Sequence, residues 1–88
     1  MDRIIMTEVY APLGKYILFT RLSGGDEVAE VDRVDGKYRV FVFSPEFPGY
    51  ETRTRRDSAI QLAQDRIRQI NPDVEFKWNV ISKRIKRA

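Results

Sequence analysis

The chain has no cysteine and no histidine. Without cysteine there is no disulfide staple and no thiolate nucleophile, which fits a reducing compartment. Without histidine the side chain most used as a general base near neutral pH is missing. Long apolar runs are missing as well: the longest are a few residues, against roughly 20 needed to span a bilayer. The first residues, Met1-Asp2-Arg3-Ile4-Ile5-Met6, place an acid early and lack the extended apolar region of a secretory signal. From these absences the expectation is a cytoplasmic protein that is not an enzyme, does not enter membranes, and holds no metal and no cofactor.

What is present describes a folded domain. Eighty-eight residues suit a single core, and an apolar share of 42% beside 33% charged residues argues against disorder. The net charge of +3 is unevenly spread. Residues 1–50 carry six Lys/Arg against eight Asp/Glu, and residues 51–88 carry ten against five. A positive half attracts phosphate or an acidic protein surface, and equally serves as a solvated, solubilising surface.

Residues 3–10 and 16–22 are rich in β-branched and aromatic types and read as strands, separated by the turn Ala11-Pro12-Leu13-Gly14. Ser23-Gly24-Gly25-Asp26 breaks the second strand, and residues 28–34 form a third. Asp35-Gly36 predicts a type I′ hairpin into a fourth strand over residues 37–43. That strand sets Tyr38, Val40 and Val42 against Arg39, Phe41 and Phe43. Apolar residues on both of its faces suggest a central strand or one covered on both sides. Ile60, Ala63, Ile67 and Ile70 recur at spacings of three and four beside Ala59, which predicts a helix with one apolar face. Asp57 or Ser58 is its expected N-cap, with Ser58 and Gln61 as a capping box, and Asn71-Pro72 its stop. Val74, Phe76, Trp78 and Val80 alternate with polar residues in a last strand, which places Trp78 in the core.

The fold class expected is therefore α+β: an antiparallel sheet made of a β-meander, a short strand, a helix and a final strand, with the helix packed on one face. A single domain over residues 1–82 comprises an N-terminal hairpin (3–22) and a core (28–81), followed by a basic tail at 83–88.

The residues Gly36, Tyr38 and Val40, then Pro45-Glu46-Phe47-Pro48-Gly49-Tyr50, Thr52, and Ala59-Ile60 with Ala63 resemble the N-terminal domain of HicB-type antitoxins. The resemblance covers about residues 28–81. Tyr50 stands where that family usually has Cys, Arg53-Thr54-Arg55-Arg56-Asp57 replaces its Gly-Asp-Thr entry to the helix, and no DNA-binding C-terminal domain follows. The resemblance implies a non-catalytic binding protein, antitoxin-like or an inhibitor from a phage or mobile element, whose partner is a small ribonuclease toxin or another nucleic-acid-processing protein.

Candidate partner-binding residues are Tyr50, Arg53, Arg55 and Arg56. Arginine suits planar contacts to carboxylate or phosphate, and a helix N-terminus already attracts anions. The structural alternative is a charged strand edge that blocks sheet-to-sheet aggregation. A nucleic-acid-binding module is the alternative function, using Arg53, Arg55 and Arg56 with Lys83, Arg84, Lys86 and Arg87. The terminal run is equally well a solubilising tail. An exposed short strand also offers its edge for β-addition by a partner or for a homodimer. Glu75 and Lys77 with Asp57 or Asp73 echo the acid-x-Lys pattern of metal-dependent nucleases, a pattern that any alternating solvent face also produces.

Overall fold

The computed structural model describes residues 2–11 and 14–79. Its first four strands, β1 (Arg3–Ala11), β2 (Gly14–Arg21), β3 (Glu27–Val34) and β4 (Lys37–Val42), follow one another as an antiparallel meander. A short strand β5 (Tyr50–Arg53) extends the sheet beyond β4, a helix α1 (Arg56–Ile70) follows, and β6 (Glu75–Trp78) adds to the far edge beside β1. The sheet order is β5-β4-β3-β2-β1-β6, and the architecture is α+β.

The turn chemistry is as the residues require. Asp35 and Gly36 have φ of 53° and 75°, both positive, as a type I′ turn demands. Gly49, φ 76°, follows Pro48 and turns the chain back so that β5 lies antiparallel to β4. Pro45 and Pro48 both lie between β4 and β5, consistent with their lack of an amide donor.

One pair in the sheet departs from the antiparallel expectation. β6 runs parallel to β1, with Ile4 opposite Phe76 and Met6 opposite Trp78. The cause is where the helix delivers the chain. The last turn of α1 lies over the start of β1, where the Asn71 side-chain amide donates to the Asp2 carboxylate (2.9 Å) and the Glu75 N–H donates to the Asp2 carbonyl (2.9 Å). From that point the chain can continue only in the direction of β1.

Side-chain alternation divides the sheet into two unlike faces. Ile4 and Met6 on β1, Ile17 and Phe19 on β2, Ala29 and Val31 on β3, and Val40 and Val42 on β4 all point to one side and are buried. The helix closes this side with Ala59, Ile60, Ala63 and Ile67. Ala59 and Ala63 are fully buried (0% exposed), so at these positions the helix backbone rests almost directly on the strands. A register shift between Phe19 and Thr20 gives β3 one extra residue, which allows Val28 as well as Ala29 to touch the core.

Three local expectations are corrected. The helix begins at Arg56 with Arg55 as its N-cap, and no side chain caps it. Asp57 therefore sits in the first turn, where its charge complements the helix dipole. Ile70 keeps to the apolar stripe, lining a recess with Val42, Ile67 and Val74, but in the last turn it is 41% exposed. Trp78 is 45% exposed, because β6 is an edge strand and the helix does not reach across to its second half. Its ring lies under the Arg56 guanidinium, 5.4 Å from the centroid.

Ala63→Leu forces three extra carbons into the helix–sheet contact, and the expected cost is about 1–3 kcal/mol. Urea unfolding followed by circular dichroism measures it as a lower midpoint with an unchanged slope.

Candidate functional site

Among the described residues the second face of the sheet has no helix over it. Ile5, Thr7, Val9, Leu18, Thr20, Glu30, Asp32, Arg39 and Phe41 are half-buried there. At the β4–β5 margin the face is aromatic. Phe41 lies directly opposite Tyr50, with ring centroids 5.3 Å apart and tilted by 52°, and Tyr50 is 54% exposed.

Arg39 ties the aromatic pair to the middle of the sheet. Its Nε and Nη2 donate to the two carboxylate oxygens of Asp32 at 3.0 and 2.6 Å, the fork geometry that carboxylates bind most strongly. Its guanidinium lies 5.5 Å from the Phe41 centroid and 5.3 Å from that of Tyr50. The Asp32 hydrogen bond pushes the Arg39 pKa further up, keeping the charge fixed. The result is a planar cation fixed by Asp32 and seated beside both rings of a contacting aromatic pair.

Next to this cluster lies an acidic spot. Glu30 is opposite Phe41 on β3, and Glu27 opposite Thr20 points to the same side. Burial raises the Glu30 carboxyl above the usual carboxylate range. A hydrogen bond and repulsion from Glu27 add to the rise, as does repulsion from Asp32, against the opposing pull of Arg39.

The four candidate partner-binding residues do not form one site. Tyr50 belongs to the helix-free face. Arg53 pairs Tyr38 on the helix side, where it donates to Glu51 (3.1 Å) and to the Thr52 carbonyl (2.8 Å). Arg56 reaches across to Glu8 at 3.4 Å and covers Trp78. Arg55 makes no ion pair among the described residues, and with Arg53 it lines a shallow, open groove at the start of the helix. Glu51 is shared: Arg53 and then Arg66 donate to it and hold its carboxyl below the usual range. The basic run Lys83, Arg84, Lys86 and Arg87 lies outside the described residues.

Arg56 also lines a recess with Glu8, Arg33 and Tyr38, of about 70 Å³, far below the roughly 300 Å³ at which ligand pockets begin. The nuclease-like pattern is dispersed. Glu75 pairs with Arg3 at 3.3 Å at the start of β6, whereas Asp57 lies at the opposite end of the molecule on the helix side. Among the described residues no group of three or more His, Cys, Asp or Glu is placed to hold a metal, and no helix is long and apolar enough to cross a membrane.

Arg39, Phe41, Asp32 and Glu30 are the site residues that the sequence reading passed over. Their signal was the fourth strand, apolar on both faces. That pattern suggests a central strand or one covered on both sides; β4 lies inside the sheet, between β3 and β5, and the helix covers one of its faces. In comparisons with known proteins, no family model, no curated protein and no solved structure matches the chain.

The Glu30 shift carries a sign. A carboxyl raised in the folded state contributes its stability below the unfolded pKa and loses it as pH rises through the folded value. At about pH 7 the charged Glu30 is therefore a cost, while below about pH 4 it is not. Glu30→Gln is expected to raise the urea midpoint near neutral pH. The gain over the parent chain should shrink to nothing as the carboxylates protonate.

Proposed function

We propose that this chain is a non-catalytic protein-docking module whose helix-free sheet face seats a protein partner. The observation that carries the reading is the Phe41–Tyr50 pair with Arg39 held beside both rings, on a face that no helix covers among the described residues. Aromatic and arginine side chains dominate the energetics of protein interfaces, most of all where they are rigid beforehand. Ile5, Val9 and Leu18 continue the surface with apolar area.

The chemistry of the partner follows from the acids. Glu27, Glu30 and Asp32 share this face, and only Asp32 is matched by a fixed cation. A partner that presents Lys or Arg beside apolar side chains relieves the Glu27–Glu30 repulsion on docking, whereas a phosphate backbone meets the same carboxylates as like charges. A protein that itself handles RNA carries such cationic groups. The HicB-like segment, with its implied ribonuclease-toxin partner, supports an antitoxin-like or inhibitory role on this ground.

Nucleic-acid binding through the basic half is the competing reading. Of its described residues, Arg53 and Arg56 are engaged by Glu51 and Glu8, which leaves Arg55.

Affinity capture from the source cell, with wild-type, Tyr50→Ala, Glu30→Lys and Arg55→Ala chains as bait, tests the proposal. A protein held by the wild type should bind the first two variants at least about tenfold more weakly and Arg55→Ala normally. Binding of labelled single-stranded RNA that weakens steeply with salt, together with full retention of protein partners by Tyr50→Ala, would sink it.

A further inference from the structure

Beyond a partner on the open face, the outer edge of β5 has an occupant of its own. β5 pairs only with β4 among the described residues, and it is the terminal strand of the sheet. Its outward side therefore has no strand partner among the described residues, and the side-chain bond to its backbone is the local one from Arg53 to the Thr52 carbonyl. From its sequence, Tyr50-Glu51-Thr52-Arg53, we infer that the edge takes a second copy of this chain, antiparallel, in one defined register.

The argument is charge self-complementarity under two-fold symmetry. In a twofold pairing that continues the sheet, residue i of one copy faces j of the other and j faces i, and facing residues must lie on the same side. Tyr50 and Thr52 lie on the helix-free side, opposite Phe41 and Arg39, while Glu51 and Arg53 lie on the helix side, opposite Val40 and Tyr38. Four registers satisfy the rule. One sets Tyr50 against itself and brings Pro48, which has no amide to donate, opposite Thr52. One sets Glu51 against itself, and one sets Arg53 against itself. The fourth is centred on Thr52 and sets Glu51 of each copy against Arg53 of the other. Directly opposed like charges destabilise a strand pair and opposed unlike charges stabilise it, so the Thr52-centred register is selected.

The edge holds no proline and no lysine; its protections are its shortness and its two charges, and in the Thr52-centred register those charges face their opposites. Glu51 and Arg53 already meet within one chain at 3.1 Å; in the pair Arg53 gains a second opposite charge, and Glu51, already shared with Arg66, a third. The two helices then stand on the same side, and the two open faces join into one. The partner seat proposed above stands whether or not the chain pairs with itself.

The chain has no cysteine of its own, so an introduced one reports on register without interference. Facing residues in an antiparallel pair have Cα atoms about 4.5 or 5.5 Å apart, inside the roughly 4.4–6.8 Å range that a disulfide bridges. The full chain is made with Thr52→Cys, Glu51→Cys or Arg53→Cys, oxidised, and run on a non-reducing gel. Thr52→Cys should convert most of the protein to a covalent dimer, with several-fold less from the other two. A charge arm checks the cause by light scattering, with circular dichroism confirming that each variant is folded. Glu51→Arg and Arg53→Glu alone should each be monomers, and an equimolar mixture of the two should recover the dimer mass. Cross-linking equal at all three positions, stronger at 51 or 53, or absent from all three overturns the inference, as does a mixture that stays monomeric.

Discussion

The rest of this structure depends on how closely one helix can lie on one side of a sheet. Ala59 and Ala63 supply that contact, both fully buried over the middle strands. With no side chain beyond Cβ at these points, Ile60 and Ile67, two turns apart on one stripe, can descend into the same core as Val40 and Val42. All the fully buried apolar side chains are thereby drawn to one side. A single helix of 15 residues has only one face to offer, so the other side of the sheet is left to solvent. The bare face is a consequence of the core and not an independent feature.

That division also explains where the arginines went. On the helix side, nearly every arginine is used to close a margin. Arg21 meets Asp2 at 2.9 Å, Arg56 meets Glu8 at 3.4 Å, Arg66 meets Glu51 and stacks 4.8 Å from Phe47, and Arg68 lies 4.8 Å from Phe76. Long stems cover apolar rims while the charged heads stay wet. Such surface pairs contribute little singly, about 0–1 kcal/mol. Their collective role is to seal the gap between helix and sheet edge. Among the described residues of the positive half, Arg53, Arg56 and Arg66 are thus engaged by carboxylates of this chain.

The order of elements, the type I′ hairpin, the helix span to within a few residues and its stop at Asn71 were all legible, because each rests on local chemistry or on a period. Three things were not, and all depend on neighbours in space. The parallel placement of β6 is set by Asp2, far away in sequence, which receives the chain as it leaves the helix. The exposure of Trp78 is set by the limited reach of the helix across six strands, although its alternation with Val74 and Phe76 is real. The scattering of Arg53, Arg55 and Arg56 is set by geometry at a junction. Arg53 still obeys the strand period of two, Arg55 is the cap, and Arg56 already follows the helix. Three residues adjacent in sequence point in three directions because the backbone changes its repeat between them.

A bare sheet face is ordinarily a liability, and here its own side chains limit the exposure. Asp32 fixes Arg39, Arg39 fixes the Phe41–Tyr50 pair, and each ring shields part of the next. Rotamer freedom that a binding event must remove has thus already been removed in the free protein, which lowers the entropic cost of docking. The same ladder leaves Tyr50 prominent and Glu30 close to a second carboxylate. Both features are unfavourable for an isolated domain. Each is relieved by a surface that brings apolar area and positive charge together. A fold whose stability rests on one face can tolerate that arrangement on the other, because nothing in the core depends on it.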